Sequence, residues 1–136
     1  MTEKNNELSL AESDVIAGEA VKVLLEKLAL NVKMFNVRDY TSITDFYVNA
    51  TGKSYTHVAS LADDVVENLS LRGRDAYRVE GKKGNSWILV DFGSVIVNIF
   101  DSESREFYNF DRLLPAESLQ NIDCLVAEVN EKFNIH

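Results

Sequence analysis

Two runs of β-branched and apolar residues, 87–90 and 95–100, flank the tetrapeptide Asp91-Phe92-Gly93-Ser94. This pattern predicts a hairpin of two central strands joined by a tight turn. Because side chains alternate along a strand, Trp87 and Leu89 are expected on one face of the sheet, with Leu89 deeper in the core. The only tryptophan of the chain therefore begins a strand of the predicted core.

Apolar residues at helical spacing predict three helices. The first begins at a capping box, Ser9-Leu10-Ala11-Glu12, with Ser13 as an alternative cap, and ends near residue 30. The second covers residues 55–71, with Ser54 as its N-cap. The third follows Pro115 and has a narrow apolar seam over residues 119–133. A seam this short is expected to pack on its own domain, although pairing with another chain is the alternative.

Further strands are predicted at residues 32–37, 46–51, 76–79 and 105–110, and the last of these contains Tyr108. The order of elements is helix, two strands, helix, several strands and a final helix. This order is typical of an α/β domain with a mixed β-sheet flanked by helices.

The charge of the chain limits the classes of partner that it can bind. The 136 residues form one domain by length, with 22 acidic and 14 basic side chains and a net charge of −8. An acidic chain repels phosphates, so primary binding to nucleic acid is disfavoured and docking on a basic protein is favoured. The apolar runs are too short to cross a membrane, and the polar first twelve residues do not resemble a leader peptide. We therefore expect an intracellular protein.

No cofactor site is predicted. Gly52-Lys53-Ser54 matches the end of a phosphate-binding loop, but Tyr47 stands where that motif requires its first glycine. The two histidines, His57 and His136, and the single Cys124 lack the spacing of a metal site. We expect His57 to be a structural or a surface histidine.

Several short stretches together resemble the ribosomal silencing factor family, also called Iojap-like. They are Ser42-Ile43-Thr44-Asp45-Phe46 leading to Ala50-Thr51-Gly52, His57-Val58 with Leu61-Ala62-Asp63, Val79-Glu80-Gly81 followed by residues 87–100, and Arg105-Glu106-Phe107-Tyr108-Asn109 with Leu113. No single stretch is specific, but their order and spacing are, and they cover residues 21–114.

The resemblance implies a nucleotidyltransferase-like fold and a role that needs no catalysis. The implied role is binding of the large ribosomal subunit through ribosomal protein L-fourteen, which blocks joining of the small subunit and represses translation when nutrients are limited. It also implies a bacterial cytoplasmic location and a homodimer when the protein is free.

The resemblance also implies which residues meet the partner. Those matching Trp87 and Tyr108 lie on the face offered to the ribosomal protein, and Phe92 stands where the family has a large apolar residue. The full predicted interface is Trp87, Tyr108, Phe92, Asp91, Glu80 and Arg105.

The expected division of the chain is a polar extension at 1–12, the silencing factor domain at 13–114 and an additional helical segment at 115–136. Ser94 and Asn98 replace the Asp and His usual in the family, which leaves the roles of these two side chains open. The alternative function is a nucleotidyltransferase-like enzyme or nucleotide-binding protein. That chemistry requires closely spaced metal-binding carboxylates, and no Asp-x-Asp or Glu-x-Asp pair lies on a predicted strand.

Overall fold

The computed structural model describes residues 5–81 and 84–133. Its centre is a five-stranded sheet in the order β1-β2-β5-β4-β3, in which β2 and β5 are parallel and all other neighbours are antiparallel. The strands are β1 (Leu30–Asn36), β2 (Phe46–Gly52), β3 (Arg78–Glu80), β4 (Trp87–Asp91) and β5 (Val95–Asp101). The helices are α1 (Ser13–Glu26), α2 (Tyr55–Leu71), α3 (Ser102–Tyr108) and α4 (Asp123–Lys132). The predicted α/β fold with a mixed sheet is confirmed.

The hairpin of β4 and β5 is also confirmed. Its turn closes with a hydrogen bond of 2.8 Å from the Phe92 amide to the Val95 carbonyl. Gly93 has a φ of 86°, and a Cβ at this position would lie 2.6 Å from the ring of Tyr77. The Asp91 carboxylate accepts the Gly93 amide hydrogen at 2.7 Å, so it has the turn-forming role typical of aspartate.

Helices α1 and α2 cover one face of the sheet and form the main core with it. The fully buried residues of this core include Ile16, Ala20, Leu24, Leu61, Val65, Val48, Ile88, Val90, Val97 and Ile99. Helix α2 has the predicted bounds, and the Ser54 hydroxyl accepts the His57 amide hydrogen at 3.1 Å. We call α1 and α2 the helix layer.

The predicted start of α1 is wrong. The helix begins at Ser13, and Glu12 occupies the N-cap position without a side-chain hydrogen bond. The Ser9 hydroxyl instead donates to the Asn6 carbonyl at 2.9 Å, so it stabilises a preceding turn. The helix ends at Glu26, because Leu28 has a φ of 65° and leaves the helical path.

The strand predicted at residues 105–110 is wrong as well, because this segment is helical. Asp101 caps α3 by accepting the Ser104 amide hydrogen at 2.8 Å, and Asn109, with a φ of 48°, ends the helix. A short 3₁₀ helix over Phe110–Leu113 follows. Three aromatic residues in six made this segment strand-like in sequence, but a local cap decided its conformation.

The segment after Pro115 packs on the domain, as expected for its short seam. Helix α4 is shorter than predicted and lies against α1, where the Lys22 ammonium and the Glu128 carboxylate are 3.0 Å apart. Before α4, Leu119 forms an antiparallel bridge with Phe35 of β1, and the Gln120 amide donates to the Met34 carbonyl at 2.8 Å.

The N-terminal segment is bound to the helix layer by backbone and ionic contacts. Leu8 is buried, and its amide donates to the Arg72 carbonyl at 2.7 Å. The Arg72 guanidinium forms ion pairs with Glu7 and Glu19, and Lys22 pairs with Glu19 at 2.7 Å. Burial alone would raise the pKa of Glu19, but hydrogen bonds from Lys22 and Arg72 outweigh it and lower that pKa. The hydrogen bond from Arg72 likewise lowers the pKa of Glu7.

Candidate protein-interaction surface

The sheet face opposite the helix layer has a much smaller cover. Strand alternation and register place on it Tyr47, Asn49 and Thr51 of β2, Ile96, Asn98 and Phe100 of β5, and Trp87, Leu89 and Asp91 of β4. Helix α3 and the 3₁₀ helix lie above part of these residues. The β4 side of this face is consequently accessible to a partner.

Aromatic rings cluster around Trp87 on this face. Its ring centroid is 4.9 Å from that of Phe100, 5.0 Å from Tyr108 and 6.1 Å from Phe110. Tyr108 is 50% exposed and Phe107, whose centroid lies 5.1 Å from that of Tyr108, is 79% exposed. We call Trp87, Leu89, Phe107 and Tyr108 the aromatic surface.

A shallow cleft of about 410 Å³ brings three of the predicted interface residues together. It is lined by Glu80, Gly81, Ser86, Trp87, Leu89 and Tyr108. Leu89 is half-buried here, so the expectation that it lies deep in the core is wrong. Its neighbours Ile88 and Val90 face the helix layer and are the two fully buried residues of β4.

Charged side chains border this cleft. The Arg78 guanidinium lies between two carboxylates, with its Nε 3.0 Å from Asp91 and its Nη1 2.7 Å from Glu80. Sequence reasoning did not assign Arg78 to the interface, although its position two residues before Glu80 on a strand places both side chains on one face. The border has two acidic groups and one basic group.

Two predicted interface residues lie beneath the surface. Phe92 is completely buried in the core and offers no area to a partner, so we correct its assignment from interface to core. Arg105 is only 7% exposed, because its Nε donates to Asp111 at 2.8 Å and its Nη1 donates to Thr51 at 3.0 Å. Arg105 therefore anchors α3 on the sheet, and we correct its assignment in the same way. Its Nη2 is buried without a hydrogen-bond partner among the described residues.

A buried polar network that sequence reasoning missed connects these elements. The Trp87 indole Nε1 donates to Asn98 Oδ1 at 3.1 Å, and Asn98 Nδ2 donates to Asn49 Oδ1 at 3.1 Å. Asn49 Nδ2 in turn donates to Asp111 Oδ1 at 2.6 Å. One signal could have revealed the network: Asn49 and Asn98 each stand in the middle of an otherwise apolar strand. The other departure from the family pattern, Ser94, accepts a hydrogen bond from Arg74 at 3.3 Å.

The aromatic surface continues into a second apolar area beside the 3₁₀ helix. There a cleft of about 400 Å³ is lined by Val37, Tyr40, Thr41, Tyr47, Phe110, Leu113, Leu114 and Pro115. Burial raises the pKa of Tyr47, whose ring lies 5.1 Å from that of Phe110. The exposed Leu113 enlarges the apolar area that one partner could cover.

The turn at Gly52 is built for packing. A Cβ on Gly52 would lie 2.7 Å from the Val58 side chain, and His57 Nδ1 accepts the Lys53 amide hydrogen at 2.9 Å. His57 Nε2 lies 2.9 Å from the Lys27 carbonyl, so the ring bridges two loops and its structural role is confirmed.

Within residues 5–81 and 84–133, no group of three His, Cys, Asp or Glu could hold a metal ion. In the same ranges, no helix has the length and apolarity needed to cross a membrane.

Comparison with known proteins identifies the family. The model of the family described as "Ribosomal silencing factor during starvation" matches residues 10–134, which includes the segment after Pro115. The chain is 34% identical over 97 residues to the ribosomal silencing factor RsfS of Haemophilus influenzae, covering 68% of this chain and 95% of that protein. It is 27% identical over 112 residues to the mouse "Mitochondrial assembly of ribosomal large subunit protein 1", covering 80% of this chain and 48% of that protein.

Solved structures have the same fold. A crystal structure of a protein from Chromobacterium violaceum superposes with a TM-score of 0.75 and 28% identity, covering 76% of this chain and 87% of that one. A second structure, from Bacillus halodurans, gives a TM-score of 0.69 at 25% identity and covers 81% of this chain and 99% of the other. The sequence motifs, the mixed sheet and the extent of the family match agree, and the chain belongs to the ribosomal silencing factor family.

Proposed function

We propose that this chain binds the large ribosomal subunit through ribosomal protein L-fourteen and sterically blocks joining of the small subunit. The observation that carries the proposal is the aromatic surface, where Trp87 of β4 and Phe107 and Tyr108 of α3 present partly exposed rings beside one another. Family membership adds support, because relatives are named ribosomal silencing factors. In a bacterium this action takes place in the cytoplasm, where the ribosomes are.

The energetics of the aromatic surface suit tight binding. Trp and Tyr are enriched among the few residues that dominate protein interfaces, and loss of one such ring costs about 2 kcal/mol or more. Tyr108 is already packed on Trp87, so little side-chain freedom is lost when a partner covers both rings. A small surface of this kind supports a specific complex when its centre is desolvated.

Charge supports a basic protein as the partner. The chain has a net charge of −8, and Glu80 and Asp91 lie at the border of the aromatic surface. Complementary charge speeds encounter and fixes register, whereas ribosomal RNA would be repelled. The net negative charge of the chain therefore favours a protein component of the subunit, and not its RNA, as the partner of the aromatic surface.

Steric blocking assigns no catalytic step to the chain, and we propose that it is not an enzyme. Residues 13–114 carry the function in this proposal. The described parts of the flanking segments, 5–12 and 115–133, act through stability, since Leu8 and Val129 are buried against the domain. We extend the proposal to a homodimer in the free state, which sedimentation equilibrium at several concentrations measures directly.

Sedimentation with separated ribosomal subunits tests the function. The protein is expected to travel with large subunits and to remain at the top of the gradient with small subunits. Addition before the two subunits are mixed should lower the fraction of joined ribosomes, whereas addition after joining should have less effect. Equal binding to both subunits, or normal joining at saturating protein, would contradict the blocking function.

A further inference from the structure

Beneath the aromatic surface lies an unbroken chain of hydrogen bonds. It runs from the Trp87 indole through Asn98 and Asn49 to the Asp111 carboxylate, with steps of 3.1, 3.1 and 2.6 Å. The carboxylate also accepts a hydrogen bond from Nε of Arg105 at 2.8 Å. The chain thus connects the central ring of the surface to α3, the helix that carries Phe107 and Tyr108.

The chemistry of the two ends fixes the orientation of both amides. An indole nitrogen can only donate and an ionised carboxylate can only accept. Asn98 and Asn49 must therefore each direct oxygen toward Trp87 and nitrogen toward Asp111. Because every donor points toward one negative group, each bond polarises the next.

Stability alone does not explain two amides at this place. Asn49 and Asn98 are paired in register on the adjacent strands β2 and β5, and both are fully buried. Buried amides are tolerated only when they are hydrogen-bonded, and an apolar pair at these positions would pack without that requirement. Beyond packing, the two amides fix the orientation of the groups hydrogen-bonded to them, the Trp87 indole and the Asp111 carboxylate.

We propose that Asn98, Asn49 and Asp111 are positioning residues for partner binding. Asn98 holds the Trp87 ring by its Nε1, and Asp111 holds α3 by Arg105, so Trp87 and Tyr108 keep their 5.0 Å separation in the free protein. The surface is then pre-organised and little ordering remains for the moment of binding. The consequence for binding rests on the proposed function.

The first test replaces Asn98 with leucine, which has a similar size and no polar group. Trp87 is the only tryptophan, so tryptophan fluorescence reports this ring alone. In folded Asn98→Leu we expect a shifted emission maximum, easier quenching by acrylamide and about tenfold weaker binding to large subunits. Val97→Ala is the matched control, because Val97 is the adjacent buried residue of β5 and faces the helix layer. It should lower stability and leave the emission and the affinity unchanged.

A second variant tests the Asp111 end of the hydrogen-bonded chain, and it is informative even if the Asn98→Leu variant does not fold. Asp111→Asn offers one acceptor oxygen to two donors, Asn49 Nδ2 and Arg105 Nε, so one bond of the chain is lost. We expect the same changes as for Asn98→Leu in the same direction and of smaller size.

Folded variants with the quenching and affinity of the parent protein would overturn the proposal. Altered quenching with unchanged affinity would also overturn it, since the network would then hold Trp87 without serving the partner. If the parent protein itself does not bind large subunits, the proposed function has failed. In that case the quenching measurements alone decide whether the network positions Trp87.

Discussion

The two faces of the sheet differ in how they are covered and in what their side chains do. The face toward α1 and α2 is apolar and closed, with Ile88, Val90 and Val97 fully buried. The opposite face combines exposed rings with a buried polar network under a short helix. Adjacent residues of one strand thus serve different purposes, the first face providing free energy of folding and the second providing an oriented surface. Substitutions can separate these two contributions.

The largest effect is expected from Ile88→Ala on the closed face. Removal of a fully buried aliphatic side chain costs about 2–5 kcal/mol in free energy of unfolding, because a cavity remains against the helix layer. Urea denaturation measures this loss. Leu89→Ala is the control one residue away, and we expect it to lose less stability and more affinity for large subunits. Equal stability losses for the two variants would abolish the distinction between the faces.

Tyr108→Ala should have the next largest effect, on binding. The half-exposed ring leaves only a small cavity, so the melting temperature should fall modestly while affinity for the large subunit falls by about 2 kcal/mol. Tyr55→Ala is the matched control, since Tyr55 is 56% exposed and begins α2. Thermal melts and a pull-down against isolated ribosomal protein L-fourteen measure both quantities. If Tyr108→Ala unfolds the domain or binds like the parent protein, the ring is not an interface anchor.

A smaller effect is expected from reversal of a charge at the border of the surface. Glu80→Lys should slow association several-fold at low salt, because an exposed interface charge acts mainly on the rate of encounter. The difference should shrink as salt screens the charges, with a Debye length of about 10 Å at 0.1 M. Stopped-flow association at several salt concentrations makes the measurement. Glu67→Lys on α2 changes the net charge equally, and an equal slowing there would show that only overall charge matters.

The smallest effect concerns acid stability of the helix layer. The folded pKa of Glu19 is below its ordinary value of 4.5, so the associated stability is present above that pH and is lost as the pH falls through the folded pKa. Glu19→Gln should therefore make the stability curve less steep on the acid side. Urea denaturation between about pH 7 and pH 3 measures the slope. An unchanged slope would mean that the ion pairs with Arg72 and Lys22 contribute no pH-dependent stability.

Long segments with strong hydrophobic periodicity allowed the fold to be predicted. Helix α2 and the hairpin of β4 and β5 followed from spacing alone, because burial of a continuous stripe or run leaves few alternatives. Helix α3 did not, since its seven residues are determined by an Asp101 cap and its aromatic residues suit either conformation.

The candidate site was harder to predict for a related reason. The assignment of Trp87 and Tyr108 to the site came from the resemblance to the family. The contact between their rings depends on how α3 packs against β4. Phe92 and Arg105 lie next to surface positions in sequence but point inward. Hydrogen-bonded partners such as Asn49 and Asn98 are 49 residues apart in sequence, and composition carries no information about such a pairing.

The bridge between Leu119 and Phe35 has a consequence for the solution behaviour of the chain. Strand β1 is one edge of the sheet, and an uncovered edge is a template for intermolecular strand addition and aggregation. The Gln120 amide occupies the Met34 carbonyl on this edge, while the opposite edge strand, β3, is three residues long and charged at both ends. Leu119 and Gln120 thus occupy part of the β1 edge, where they hinder the addition of a strand from a second chain.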